Sequence, residues 1–234
     1  MPEVIYMFEF NVYFGILFMI VHFLLVLFAY KQFGKLGLFV WIAVASVLAN
    51  IQVIKAIEIF TLQATLGNTL YGSIFLATDI LNEKYTKKDA QKSVLIGFMA
   101  VLTFLITMQM ALLFQPAAND FAWSVQSAME LVFGLSFRIV LASLTAYFIS
   151  QFLDITIYAK IKTVLSDDKW LWLRNNGSTM ISQLVDTMIF VFVAFYGLEY
   201  KLIDIFITTY LLKVLIAMAD TPFIYLAKRI SPKD

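Results

Sequence analysis

The chain has 234 residues, of which 62% are hydrophobic and only 14% charged, with 23 Phe and 4 Pro. That balance excludes a soluble globular domain and places the protein in a membrane. A net charge of +1 offers no basic face for nucleic acid, and the absence of Cys excludes disulfides and thiolate metal sites.

The first hydrophobic run, Phe10 to Tyr30, is preceded by Glu3 and Glu9 rather than by the basic region of a cleavable signal, so it is expected to be a retained span. A turn bearing Lys31, Gly34 and Lys35 leads to the second run, Leu36 to Ile54, which contains Asn50 and the small-residue pair Ala45 and Ala49. Lys55 to Asn68 mixes polar and apolar residues and reads as a partly interfacial connection. The third span, Thr69 to Asn82, is short and holds Asp79; the fourth, Val94 to Phe114, is almost purely apolar. Gln115 to Glu130 has Pro116, Asn119 and no basic residue, which predicts an external loop. Leu131 to Ala159 and Ser178 to Phe195 form a helical hairpin, and Leu202 to Ala219 is the last span, with Lys213 inside it and Pro222 near its end. The expected fold is an all-α polytopic bundle of about seven transmembrane helices, one domain over residues 1–234.

Lysine and arginine set the orientation. Most of the 17 basic residues fall in the turns at 31–35, 84–92 and 160–174 and in the tail after Leu226, whereas Lys55 and Lys201 stand on the other side. This alternation predicts an external N-terminus and a cytoplasmic C-terminus.

The helical hairpin carries a motif twice: Ser150, Gln151 and Asp154, then Ser182, Gln183 and Asp186. Residues three apart share a helix face, so each span turns an amide and a carboxylate the same way out of an oily surface. Such groups face a bundle interior or a water-filled cavity, which makes the hairpin the expected site. Asp79, Asp154, Asp186 and Asp220 are acids within or at the edge of spans, against two bases, Arg138 and Lys213. Asp154 and Asp220 read either as hydrated caps or as part of a cavity; Asp186, about two turns inside its span, is too deep for hydration alone. Arg138 lies about 24 Å from Asp154 along one helix and cannot pair with it. Lys213 needs a carboxylate at its own depth, Asp186 or Asp79, either as a structural ion pair or as part of a ligand site. Asp79, Asn82 and Glu83 share a face, with Glu83 expected at the inner water boundary. Thr179, Ser182 and Asp186 continue one polar stripe, although Ser178 and Thr179 also suit a helix cap. Phe75 and Tyr147 are candidates to stack on a flat ligand. No metal or cofactor is expected, because His22 is alone in an oily helix and the pair Asp167 and Asp168 lacks a further carboxylate.

Several stretches carry a resemblance: Ala77 to Glu83 (ATDILNE), Arg138 to Ser143 (RIVLAS), Gln151 to Asp154 (QFLD), Ser178-Thr179, Gln183 to Thr187 (QLVDT) and Lys213 to Ile216 (KVLI). Together, and in this order, they resemble the queuosine precursor transporter family from about Asn50 to the C-terminus. The resemblance implies an inner-membrane importer of 7-deazaguanine bases, precursors for tRNA wobble modification, with six core helices in 36–234 and an additional N-terminal helix in 1–35. It also implies a substrate-binding set of Asn50, Asp79, Glu83, Arg138, Gln151, Asp154, Ser178, Thr179, Gln183, Asp186, Thr187 and Lys213. The implied partners are the small-molecule base and the lipid bilayer, with a homodimer as a candidate assembly.

Two other classes stand beside that expectation. One is a substrate-binding subunit of an energised uptake system, for which Ala45 and Ala49 would be the dock. The other is a membrane enzyme, disfavoured by the lack of a His or Cys metal cluster and of a Ser and His pair.

Overall fold

The computed structural model describes residues 2–59, 62–134, 137–197 and 202–233. Helix α1 (Pro2–Gln52) is followed by the strands β1 (Ala56–Ile59) and β2 (Leu62–Thr65) and by α2 (Gly67–Lys84), α3 (Lys87–Leu112), α4 (Asp120–Phe133), α5 (Phe137–Val164), a short 3-10 turn at Asp168–Trp170, α6 (Leu171–Phe195) and α7 (Leu202–Arg229).

Among the described residues, five helices are long and apolar enough to cross a membrane. The first of them covers 43 residues and folds back on itself at Gly34, whose φ of 52° and ψ of −134° suit glycine and strain any other residue. That break makes two antiparallel arms from one hydrophobic run, as the turn at 31–35 predicts. Helix α2 spans the same depth, because it meets the second arm near Ala49 and Val53 at one end and reaches Lys228 and Ile230 at the other. Two arms, α2, α3, α5, α6 and α7 thus give the expected seven passes.

Helix α2 sits at the centre. Leu70, Ile74, Ala77, Ile80 and Leu81 are fully buried, and they pack with Leu38, Ile42, Ala45 and Ala49 of α1 and Val94 of α3. Ala45 and Ala49 are therefore covered from within the chain rather than displayed as a dock. The shelter explains how an 18-residue helix carrying Asn68, Ser73, Asp79 and Asn82 lies within an apolar slab: its neighbours take the lipid, and their outer faces expose Phe14, Leu17, Leu24, Phe28, Met99, Ile106 and Leu215.

Four segments differ from the sequence reading. The connection after the second arm is a β-ribbon, with Ala56 opposite Thr65 and Ile59 opposite Leu62, because Ile57, Glu58 and Ile59 alternate with period two. The segment expected as an external loop contains α4, begun by the Asn119 side chain accepting from Ala122 N at 2.9 Å. Helix α6 starts at Leu171 rather than Ser178, so Arg174, Asn175 and Asn176 belong to the bundle instead of a basic loop. Helix α7 runs through Pro222 to Arg229. Lys201 lies outside the described residues.

The two ends of the bundle differ in chemistry. One carries the basic turns, tied by Lys35 to Asp89 at 3.0 Å and by Lys228 to Asp168. The other carries the β-ribbon and α4.

Candidate functional site

A cavity of about 480 Å³ opens between α2, α5, α6 and α7 toward the ribbon end. Helix α2 lines it with Tyr71 and Phe75, α5 with Ser143, Tyr147 and Ser150, α6 with Gln183, Asp186 and Phe190, and α7 with Thr208, Leu212 and Lys213. Val53, Ala56, Thr65, Asn68 and Asp204 stand around its mouth. Tyr71 and Tyr147 form one wall, their ring centroids 6.3 Å apart. Asn50 donates to the Tyr71 hydroxyl at 3.3 Å, and the Tyr147 hydroxyl is 3.4 Å from Ser46 Oγ.

The two Ser-Gln-x-x-Asp motifs bond to each other. Ser150 donates to Asp186 Oδ1 at 2.9 Å, while Ser182 donates to Asp154 Oδ1 at 3.0 Å. Because α5 and α6 run antiparallel, each serine meets the other helix's aspartate, and this produces two layers. The layer nearer the ribbon end faces the cavity: Lys213 pairs with Asp186 Oδ2, so both oxygens of that carboxylate have a partner in the protein. A carboxylate has about four lone-pair sites, which leaves capacity for a ligand's donors.

The second layer lies beneath the cavity. Asp79, Asp154 and Asp220 are each fully buried, as is Gln151, whose amide has no partner on either atom. The hydrated-cap reading of Asp154 and Asp220 therefore gives way to burial. Asn175 donates to Asp220 Oδ1 at 2.6 Å. Between cavity and layer is a void of about 10 Å³ lined by Tyr71, Phe75, Thr179, Gln183, Lys213 and Asp220.

Below that, Glu83 closes the basic end. Its side chain is 5% exposed beneath the partly exposed Lys162 and Lys228, and it accepts from Arg174 at 3.0 Å, Lys228 at 3.0 Å and Tyr158 at 3.0 Å, with Lys162 at 3.5 Å. Arg174 is fully buried and also donates to the carbonyls of Leu165 and Asp167, at 2.7 and 3.0 Å. One carboxylate thus joins α2, α5, α6 and α7.

Of the residues singled out in the sequence, Gln183, Asp186 and Lys213 line the cavity, Thr179 lines the void and Asn50 supports the wall. Asp79, Asp154 and Gln151 are buried outside the cavity lining, Ser178 donates to Asn175 O at 3.2 Å, and Glu83 belongs to the closure. Thr187 is turned to Gln183 O of its own helix at 2.8 Å. Arg138 is at the ribbon end, away from the cavity lining, donating to Val193 O at 2.6 Å and to Tyr196 O. Phe75 and Tyr147, the stacking candidates, do line the cavity. Tyr71, Ser143, Phe190 and Thr208 escaped the sequence reading because nothing in their local pattern separates them from lipid-facing bulk. Asn175 had a usable signal: Asn175, Thr179, Ser182 and Asp186 fall at spacings of four, three and four, one face of a helix begun about two turns before Ser178.

Residues 65–227 match the family described as "Putative vitamin uptake transporter". A "Probable queuosine precursor transporter" of Bacillus subtilis is 50% identical over 227 residues, covering 96% of this chain and 98% of that relative. A protein of the same description in Haemophilus influenzae is 26% identical over 137 residues, 58% of this chain and 54% of its own. No solved structure matches the chain significantly. The coverage of the first relative is too high to omit the arm at 10–30, so that arm is shared with it.

Proposed function

The chain belongs to the family described as "Putative vitamin uptake transporter", a multi-pass membrane protein, and from that premise we propose that it imports 7-deazaguanine bases, the precursors of queuosine. The observation that carries this reading is the convergence of Asp186, Lys213, Ser150 and Gln183 in a cavity that also presents four aromatic side chains, Tyr71, Phe75, Tyr147 and Phe190. A deazaguanine edge presents a ring N–H and an exocyclic amine beside a carbonyl. Asp186 accepts from the two donors, and Lys213 or the Gln183 amide serves the carbonyl. Tyr71, Phe75, Tyr147 and Phe190 cover the ring faces. The ribbon end faces the medium and the basic end the cytoplasm, in keeping with the lysine distribution.

Liposomes containing only the purified chain test it. Preloaded with unlabelled 7-deazaguanine base, they should take up labelled base by counterflow, and an analogue lacking the exocyclic amine should compete poorly, because it gives up one of the two donors that the remaining lone pairs of Asp186 accept. Absence of exchange by well-folded protein overturns the reading.

A further inference from the structure

We propose that Asp79, Asp154 and Asp220 form a proton site beneath the cavity, which exchanges protons with the cavity through the water-sized void. The three acids come from α2, α5 and α7, and each is fully buried. Among the described residues no cation pairs with any of them. Their donors are Ser182 on Asp154 and Asn175 on Asp220, and no donor reaches either oxygen of Asp79, Asp154 Oδ2 or Asp220 Oδ2. Four of the six carboxyl oxygens thus have no donor, and three buried acids without a cation are accommodated by bound protons, since ionised carboxylates in an apolar interior are neither solvated nor paired.

A second feature is the connection to the cavity. Thr179 Oγ1 and Gln183 Oε1 belong to side chains 2% and 4% exposed, have no partner, and line the void together with Asp220. Ser182, which donates to Asp154 at 3.0 Å, also donates to the Thr179 carbonyl at 3.0 Å. The void has room for about one water, which these atoms would hold between cavity and acids.

The surrounding charges are already committed. On α2, Glu83 is held by Arg174 of α6, Lys162 of α5 and Lys228 of α7; on the cavity side Asp186 of α6 is held by Lys213 of α7. Tyr158 of α5 donates to Glu83. The buried face of α1 contributes Tyr30 and no charge, its His22 being turned to Phe18 O, and the buried face of α3 contributes none. Glu83 and Asp168 against Arg174, Lys162 and Lys228 leave one positive charge below the layer, and Asp186 with Lys213 is neutral above it; none of these cations pairs with the three acids, for which protons are the counter-charge at hand. Loaded from the cavity and discharged at the other end, the site would couple base entry to proton entry.

The test for coupling rests on the transport reading above, so it is paired with one that does not. Infrared spectra of the purified full chain at neutral pH should show a protonated-carboxyl C=O band that Asp79→Asn/Asp154→Asn reduces and exposed Asp204→Asn leaves unchanged. A wild-type spectrum without the band, or a band unchanged in the double variant, overturns the site. In proteoliposomes, an inward gradient of one pH unit should sustain about tenfold accumulation of labelled 7-deazaguanine base at one proton per base. An entrapped pH dye should report acidification, and Asp79→Asn and Asp154→Asn should each lose the gradient effect. If wild-type protein performs counterflow at equal pH but ignores a proton gradient, or answers only to sodium, the proton coupling is wrong and the transport reading stands. If counterflow itself fails, the transport reading falls and the infrared result decides the proton site. Should the variants elute as aggregates, the wild-type spectrum and gradient response decide alone.

Discussion

Ser150 on α5 donates to Asp186 on α6 at 2.9 Å, and this bond sets the orientation of the carboxylate that also holds Lys213. Ser150→Ala leaves one acid oxygen short of a donor in a largely buried setting, at a cost of about 1–3 kcal/mol. The expected result is a lowered thermal midpoint in detergent together with weakened base binding. Unchanged midpoint and affinity would show that the serine does not position Asp186.

Asp186→Asn should abolish base uptake while the protein remains in the membrane. Lys213→Met isolates a carboxylate that is 15% exposed, and breaking a buried pair from one side costs about 3–5 kcal/mol, so yield should fall with transport. Combining the two changes should restore the yield but not uptake, read by quantitative immunoblot beside vesicle assays. Normal accumulation of Lys213→Met with lost binding would make the lysine a ligand contact alone.

Glu83→Gln removes the charge that gathers Arg174, Lys162 and Lys228. Arg174, fully buried, then lacks its counter-ion, and a loss of about 3–5 kcal/mol is expected. Tyr158→Phe, which deletes one hydrogen bond to the same carboxylate, should cost about 1 kcal/mol. Thermal unfolding of the two variants, compared side by side, checks the ratio.

Arg138→Ala should behave differently from every cavity substitution. Its guanidinium bonds to carbonyls at the C-terminal end of α6, so the variant should unfold at a lower temperature yet bind base with wild-type affinity once folded. A selective loss of affinity would return Arg138 to the ligand site.

A methyl group at Gly67 would stand 2.7 Å from Ala49 O and 3.2 Å from Val53 N, both backbone atoms that cannot yield without moving α1. Gly67→Ala should therefore destabilise by about 1–3 kcal/mol, measured by thermal unfolding.

The helices were legible in the sequence because lipid demands long apolar runs, and the turn at Gly34 because basic residues surround it. The pairing of Lys213 with one of two candidate acids was legible from depth alone. What depth and spacing do not encode is how helices far apart in sequence are brought together. Nothing local distinguishes Arg138, which bonds to backbone carbonyls, from Arg174, which meets a carboxylate 91 residues away. Hydropathy placed Arg174 to Gly177 in a loop because it scores each residue against lipid, and Arg174, Asn175 and Asn176 are buried within the bundle, where α2 and α7 meet them with Glu83, Asp220 and Thr221.

Helix α2 is largely enclosed by its neighbours, and it is absent from the five helices among the described residues that are apolar enough to cross a membrane alone. An aspartate at the centre of a nascent segment costs about 2.5–3.5 kcal/mol on passing from the translocon into lipid, and Asp79, five residues from the end of α2, adds part of that cost to those of Asn68, Ser73 and Asn82, so α2 has little reason to leave the insertion machinery unaided. Its first arrangement during biogenesis must therefore be decided by what is made before and after it. The α1 hairpin offers a surface of Leu38, Ile42, Ala45 and Ala49, and α3 supplies the apolar anchor that commits the stretch to crossing. Polar residues that later serve the bundle interior thus make early membrane integration a cooperative event among three consecutive segments.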